Sequence, residues 1–141
     1  MDQPRRGEVV TFPSREIIPY HSDDAPAAIG PYAQSVSLGG FLFTSGQVGL
    51  DPATGNLAPG GFEPQARRVF ANLAAVLASA GCGFHDVVKS TVYVQNMADF
   101  PALNAVYAEA MGDHRPARST VQVAALPKGA MVEIDFVARL R

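Results

Sequence analysis

Two charged residues stand where the surrounding residue types do not call for charge. Glu133 interrupts the apolar run from Met131 to Ala138, and Arg118 opens a strand-like run in Pro116-Ala117-Arg118-Ser119-Thr120. Burying an ionised group without compensation is costly, so an acid in a strand core ordinarily has a partner or a chemical task. Five more polar residues, Tyr32, Ser45, Gln47, Asn104 and Thr120, lie in otherwise apolar surroundings. Two plainer readings stay open for the pair. Arg118 and Glu133 form a structural ion pair, or Glu133 sits on a solvent-facing strand surface beside Asp135.

Other chemistries are excluded by what the chain lacks. The glycine-rich stretch from Gly55 to Gly61 has no Gly-Lys-Ser/Thr, and no G-x-G-x-x-G follows a strand. Thr44-Ser45-Gly46 follows Phe43 and is not a G-x-S-x-G nucleophile elbow. His21, His85 and His114 are far apart and there is one cysteine, Cys82, so no metal is expected. Cys82, between two glycines, reads as structural or solvent-facing rather than nucleophilic. A lone cysteine excludes an intramolecular disulfide and fits a reducing, cytoplasmic setting. Nine Arg and two Lys are scattered in a chain of net charge −2, which offers no phosphate footprint for nucleic acid. No apolar run is long enough to cross a membrane, and no signal-like apolar stretch follows Arg5 and Arg6. With 141 residues, 48% of them apolar, one folded domain is expected.

The elements that must position these residues follow from periodicity. Residues 1–20 read as an N-terminal arm with a candidate short edge strand from Arg15 to Tyr20, and residues 21–141 as the domain. Ala33–Leu38 and Phe41–Ser45 are strand-like, with Gly39-Gly40 as a hairpin turn. Gly46–Gly61 reads as a long loop. Val69, Leu73, Val76, Leu77 and Ala80 make one apolar face of a helix from Glu63 to Ala80. A strand from Val87 to Val94, a helix from Asp99 to Met111, and strands from Arg118 to Ala124 and Met131 to Leu140 complete the order β-β-β-α-β-α-β-β. That order is an α+β class with a mixed sheet. Two helices cover one sheet face. Val88, Val92, Val94, Val132, Ile134 and Phe136 put apolar content on both faces, so the uncovered face is expected to be buried against other subunits.

Six blocks, in order, resemble those of the RidA family, the reactive intermediate deaminases. They are Ala25-Pro26-Ala27-Ala28-Ile29-Gly30-Pro31-Tyr32, Thr44-Ser45-Gly46-Gln47, Asp86 to Tyr93, Asp99 to Tyr107, Pro116-Ala117-Arg118-Ser119, and Leu126-Pro127-Lys128-Gly129-Ala130 with Glu133-Ile134. The resemblance implies a chorismate-mutase-like α+β fold, a homotrimer with clefts between subunits, and cofactor-free, metal-free hydrolysis of 2-imino or enamine acids to 2-keto acids and ammonia. It also implies that Arg118 grips the substrate carboxylate and that Glu133 positions or activates water. Tyr32, Ser45 and Asn104 fall on residues that the family places at its cleft.

Three departures qualify it. Thr120 stands where many members carry cysteine, the connection from Asn104 to Arg118 is shorter than in the best-known deaminases, and the arm is longer. A non-enzymatic carboxylate binder or chaperone-like module on the same fold is the alternative, as is a deaminase dedicated to one aminoacrylate- or aminomuconate-type pathway.

Overall fold

The computed structural model describes residues 6–7 and 15–141, so most of the expected arm (residues 1–5 and 8–14) lies outside the described residues. A seven-stranded mixed sheet forms the body, in the order β1-β2-β3-β7-β5-β6 with β4 pairing to β7. The strands are β1 Ile18–Tyr20, β2 Ser35–Leu38, β3 Phe41–Thr44, β4 Gln47–Val48, β5 Val87–Val94, β6 Ala117–Gln122 and β7 Val132–Arg139. The helices are α1 Phe62–Ala78 and α2 Phe100–Met111. All ladders are antiparallel except β5–β6, which is parallel and is joined through α2. A parallel neighbour needs such a crossover.

The β2–β3 hairpin turns at Gly39 (φ 62°) and Gly40 (φ 101°), both left-handed, as its tight two-residue turn demands. Helix α1 buries Val69, Leu73, Val76 and Leu77 on one side. Helix α2 buries Leu103, Val106, Tyr107 and Met111. Both share one core with Val92, Val94, Val132, Ile134 and Phe136.

The structure corrects two readings. The segment from Gly46 to Gly61 is not all loop. It holds β4 and an isolated bridge between Leu50 and Leu57. Two residues are too few for a periodic signal, and this strand is fixed from outside: the Asn72 side chain on α1 donates to the Val48 and Leu50 carbonyls at 3.2 and 2.9 Å. The second correction concerns the faces. Val92, Val94, Val132, Ile134 and Phe136 all point to the helix-covered face, and Val88 is turned out at a bulge between Val87 and Lys89. The apolar content of the open face comes instead from Leu38, Phe41, Phe43 and Val121, which are 41–48% exposed. A patch of that kind marks an interaction surface.

Candidate active site

Register places the two charged residues on opposite faces of the sheet. Ser90 of β5 stands opposite Phe136 of β7 and Arg118 of β6. Phe136 is core, so Arg118 is on the helix-covered side. Tyr93 stands opposite Glu133, which points to the open face with Asp135, two residues along the same strand. The intramolecular Arg118–Glu133 ion pair is therefore not formed, and Glu133 is half-buried rather than free on a wet surface.

Glu133 lines a cavity of about 460 Å³ with Tyr32, Ser45, Gln47 and Lys128. Its carboxylate packs directly over the main chain at Gly46, where a Cβ would come within 2.6 Å of Oε2. Gly46 thus leaves room for the acid, and it breaks the strand between β3 and β4 at that point. Glu133 makes no hydrogen bond or ion pair with a described residue. Burial first, and then the charge of Asp135, push its pKa above the usual glutamate value. Asp135 is itself raised by burial, opposed by a hydrogen bond from the Tyr93 hydroxyl (3.3 Å) and by the charge of Lys89.

The cavity wall is braced from the loop before β2. Buried Gln34 accepts from the Ser22 N–H at 2.7 Å and donates to the Ser22 and Pro26 carbonyls. The Ser45 hydroxyl donates to the Ala33 carbonyl at 2.7 Å. Ser45 thereby holds the segment carrying Tyr32. Tyr32 is half exposed, and its oxygen accepts weakly from the Ile29 N–H at 3.4 Å, which leaves its own hydrogen free to donate. Lys128 has φ 57°, the one left-handed non-glycine among the described residues, and its ammonium donates to the Gly55 carbonyl at 3.0 Å. Strained backbone of this kind concentrates at functional sites.

Arg118 lines a different cavity, of about 330 Å³, with Asn104, Tyr107, Ala108, Arg115 and Pro116. One guanidinium nitrogen donates to Asn104 Oδ1 at 2.8 Å. The guanidinium lies 4.7 Å from the Tyr107 ring centroid and 5.6 Å from that of Phe100, so α2 orients the fork through π contacts. Thr120 shares the Arg118 side of β6, but its buried hydroxyl has no partner and lines neither cavity. The chain thus brings Tyr32, Ser45, Gln47 and Glu133 together, and Arg118 and Asn104 together, but not the two groups. Gly46, Gln34, Tyr107 and Arg115 were not singled out from sequence. Gly46 could have been, as the glycine at which the strand-like run from Phe41 to Ser45 ends.

None of the three histidines lines either cavity. His114 bonds the Val87 carbonyl at 2.7 Å, His21 pairs with Asp23, and His85 contacts Asp86 and Arg141. No group of three His, Cys, Asp or Glu able to hold a metal occurs among the described residues.

Comparison with known proteins gives a consistent family. The family model described as Endoribonuclease L-PSP matches residues 22–140. The 2-iminobutanoate/2-iminopropanoate deaminase of Mus musculus is 48% identical over 114 residues, covering 81% of this chain and 84% of that protein. RidA from Psychrobacter superposes with a TM-score of 0.83 at 44% identity, covering 86% of this chain and 98% of that one. Escherichia coli TdcF, solved with bound serine, does so with a TM-score of 0.83 at 40% identity, covering 87% and 98%. With its mixed seven-stranded sheet, its two helices and these relatives, the chain belongs to the RidA family, also described as Endoribonuclease L-PSP, and is a homologue of its 2-iminobutanoate/2-iminopropanoate deaminases.

Proposed function

We propose that the protein hydrolyses 2-imino acids to 2-keto acids and ammonia, without cofactor or metal, in clefts between the subunits of a homotrimer. One observation carries the reading: Glu133 and Arg118 open on opposite faces of one sheet, into two separate half-sites. Neither half suffices alone: one holds a base whose neighbouring cation, Lys128, already donates to the Gly55 carbonyl and offers no guanidinium fork, and the other holds the fork without a base. Packing the β6 edge of one subunit against the open face of the next joins them, and it buries Phe41, Phe43 and Val121 in the same step. This is the chorismate-mutase-like assembly that the family resemblance implies.

In the joined cleft, Arg118 holds the substrate carboxylate in a bidentate grip and Asn104 keeps the fork in plane. Tyr32 donates to the substrate from the opposite wall. Glu133 takes a proton from water as the oxygen adds to C2 of the imine, and that proton passes to nitrogen. The hydroxyl proton then moves to nitrogen, the C–N bond breaks, ammonia leaves and the carbonyl forms. Imine plus water gives keto acid plus ammonia, with no redox change. Imine hydrolysis is facile, so positioning supplies most of what is needed. Thr120 lies on the Arg118 side of β6 without lining either cavity, and it gives no thiol for modification.

Residues 21–141 carry every residue of the proposed site, and β1 (Ile18–Tyr20) before them pairs into the same sheet. The buried thiol of Cys82, raised in pKa by burial, suits the reducing cytoplasm. The described residues include no helix long and apolar enough to cross a membrane. Endoribonuclease chemistry is the weaker reading, because no histidine lines either cavity and the net charge of −2 does not favour RNA.

The test uses 2-iminopropanoate made in situ by an amino-acid oxidase, with ammonia or keto-acid release as the readout. Arg118→Ala and Glu133→Gln are each expected to lower kcat/KM by about a hundredfold or more. The two dead variants, unfolded together and refolded as a mixture, should regain up to about a quarter of wild-type activity, because one cleft in four then pairs an intact Glu133 with an intact Arg118. Acceleration that survives Arg118→Ala, or a mixture as inactive as its components, would overturn the reading. No acceleration by wild type on any imino acid would leave a carboxylate binder.

A further inference from the structure

Among the described residues, the cavity around Arg118 has more positive charge than one carboxylate requires, and no acid to balance it. Two of its lining residues are arginines, Arg118 and Arg115, and none is Asp or Glu. Arg115 is anchored, since one guanidinium nitrogen donates to the Gly112 and His114 carbonyls, at 2.5 and 3.0 Å. Those bonds fix the stem of the fork at the turn after α2, and the remaining N–H groups have no partner among the described residues. A guanidinium carries five donors, so most of the Arg115 fork is available to a ligand.

A second feature points the same way. The Tyr107 side chain is 7% exposed and lines this cavity, and its hydroxyl makes no hydrogen bond of proper geometry with a described residue. Burial raises the Tyr107 pKa, and against it work the Ser90 hydroxyl and the charges of Arg118 and Arg115, so both guanidinium groups are felt at the phenol oxygen. The phenol therefore stays neutral and brings no negative charge to the cavity. The Asn104 carbonyl oxygen is taken by Arg118, which leaves its NH₂ as another donor. The arginine and Asn104 side-chain groups left free in this lining are therefore donors, and two carry full positive charge. Such a cavity is built for a ligand with more than one anionic oxygen group.

We propose that Arg115 is a specificity-determining residue that admits 2-imino dicarboxylic acids, with Arg118 holding the α-carboxylate and Arg115 the side-chain carboxylate. The proposal rests on the deaminase reading above and names its substrate class. Arg115 stands at the turn between α2 and β6, three positions before Arg118. The substrates are those that oxidation of aspartate and glutamate releases, 2-iminosuccinate and 2-iminoglutarate. They react as before, with water adding at C2, the C–N bond breaking and ammonia leaving. The distal carboxylate is a spectator that only binds.

The test compares kcat/KM for 2-iminosuccinate, 2-iminoglutarate and 2-iminopropanoate, each generated by the matching oxidase, with semicarbazide competing for the free imine. The full-length protein is used as wild type, Arg115→Gln and Arg115→Glu. The dicarboxylate-to-monocarboxylate ratio is expected to fall about tenfold in Arg115→Gln, and further in Arg115→Glu, since one charge-assisted hydrogen-bonded contact is lost and then reversed. Arg115 is exposed, so the wild-type ratio should also shrink between 50 and 500 mM salt, roughly as the Debye length does. A ratio indifferent to Arg115→Gln, with 2-iminopropanoate still turned over, refutes the role of Arg115 and leaves the deaminase reading standing. Failure on all three substrates by wild type refutes that reading first. Circular dichroism and mass in solution for each variant separate loss of fold from loss of specificity.

Discussion

The two faces of β7 show how one strand carries two kinds of information. Val132, Ile134, Phe136 and Ala138 point under the helices and are at most 1% exposed. Glu133, Asp135 and Val137, between them, point to the open face and are half-buried. The first set specifies the fold of a single chain, because α1 and α2 cover it. The second carries the acid, and the apolar residues around it have no cover within the chain. The core is finished by the chain itself, whereas the residues of the proposed site lie on two faces that one chain keeps apart.

This contrast breaks cleanly under substitution. Phe136→Ala removes a fully buried ring that packs edge-on against Phe84 at 6.3 Å, and should cost about 3–5 kcal/mol in urea unfolding. Phe43→Asp, at a ring 42% exposed on the open face, should cost the single chain about 1 kcal/mol or less, but should lower the mass in solution measured by light scattering. If Phe43→Asp leaves the mass unchanged, the open face is not a subunit interface. A small effect of Phe136→Ala would mean that the helix-covered face is not the core.

Much of this was legible in the sequence, for reasons that residues make plain. Gly39-Gly40 sets the hairpin because the turn needs two left-handed residues, and it forms with Leu38 opposite Phe41. The 3.6-residue spacing of Val69, Leu73, Val76 and Leu77 gives α1. Arg118, Glu133, Tyr32, Ser45 and Asn104 could be named as candidates from the sequence, but the two groups into which the structure sorts them could not. Which face a residue takes depends on strand register, and the bulge at Val87/Lys89 shifts that register by one residue. Val88 was therefore assigned without its bulge, and Phe41 and Phe43 were passed over. β4 escaped because its cause is Asn72, at least 24 residues distant in the chain.

The carboxylates divide as the faces do. Asp86, at the start of β5, is 1% exposed and would be raised in pKa by burial alone. The Gly83 N–H at 2.9 Å and the Arg139 and Arg141 guanidinium groups at 3.1 Å each overcome this and hold it at about 2. Its charged form ties the end of β7 to the turn before β5. A pKa lowered by folding gives stability that is present above about 3.8 and is lost as pH falls towards 2. Asp86→Asn should therefore cost about 2 kcal/mol at pH 7 and flatten the acid limb of the stability curve between pH 4 and 2. An acid limb that persists in the variant would assign acid sensitivity to other carboxylates.

Glu133 and Asp135 are shifted in the opposite direction, as suits a base that must accept a proton rather than an anchor that must not. With Glu133 as the proposed base, only its ionised form acts, so kcat/KM should fall as pH drops through its pKa. That pKa is raised, so the fall occurs at higher pH than for an ordinary glutamate. Asp135 contributes to the rise through its negative charge, although it lines neither cavity. Asp135→Asn removes the charge and keeps the shape, and it should move the acid limb to lower pH by about half a unit at low salt, less at high salt. Asp135 would then be a positioning residue for charge rather than a group in contact with substrate. A limb that shifts upward, or a drop in kcat with the limb unmoved, would show that Asp135 acts through the Tyr93 hydrogen bond and the shape of the open face instead.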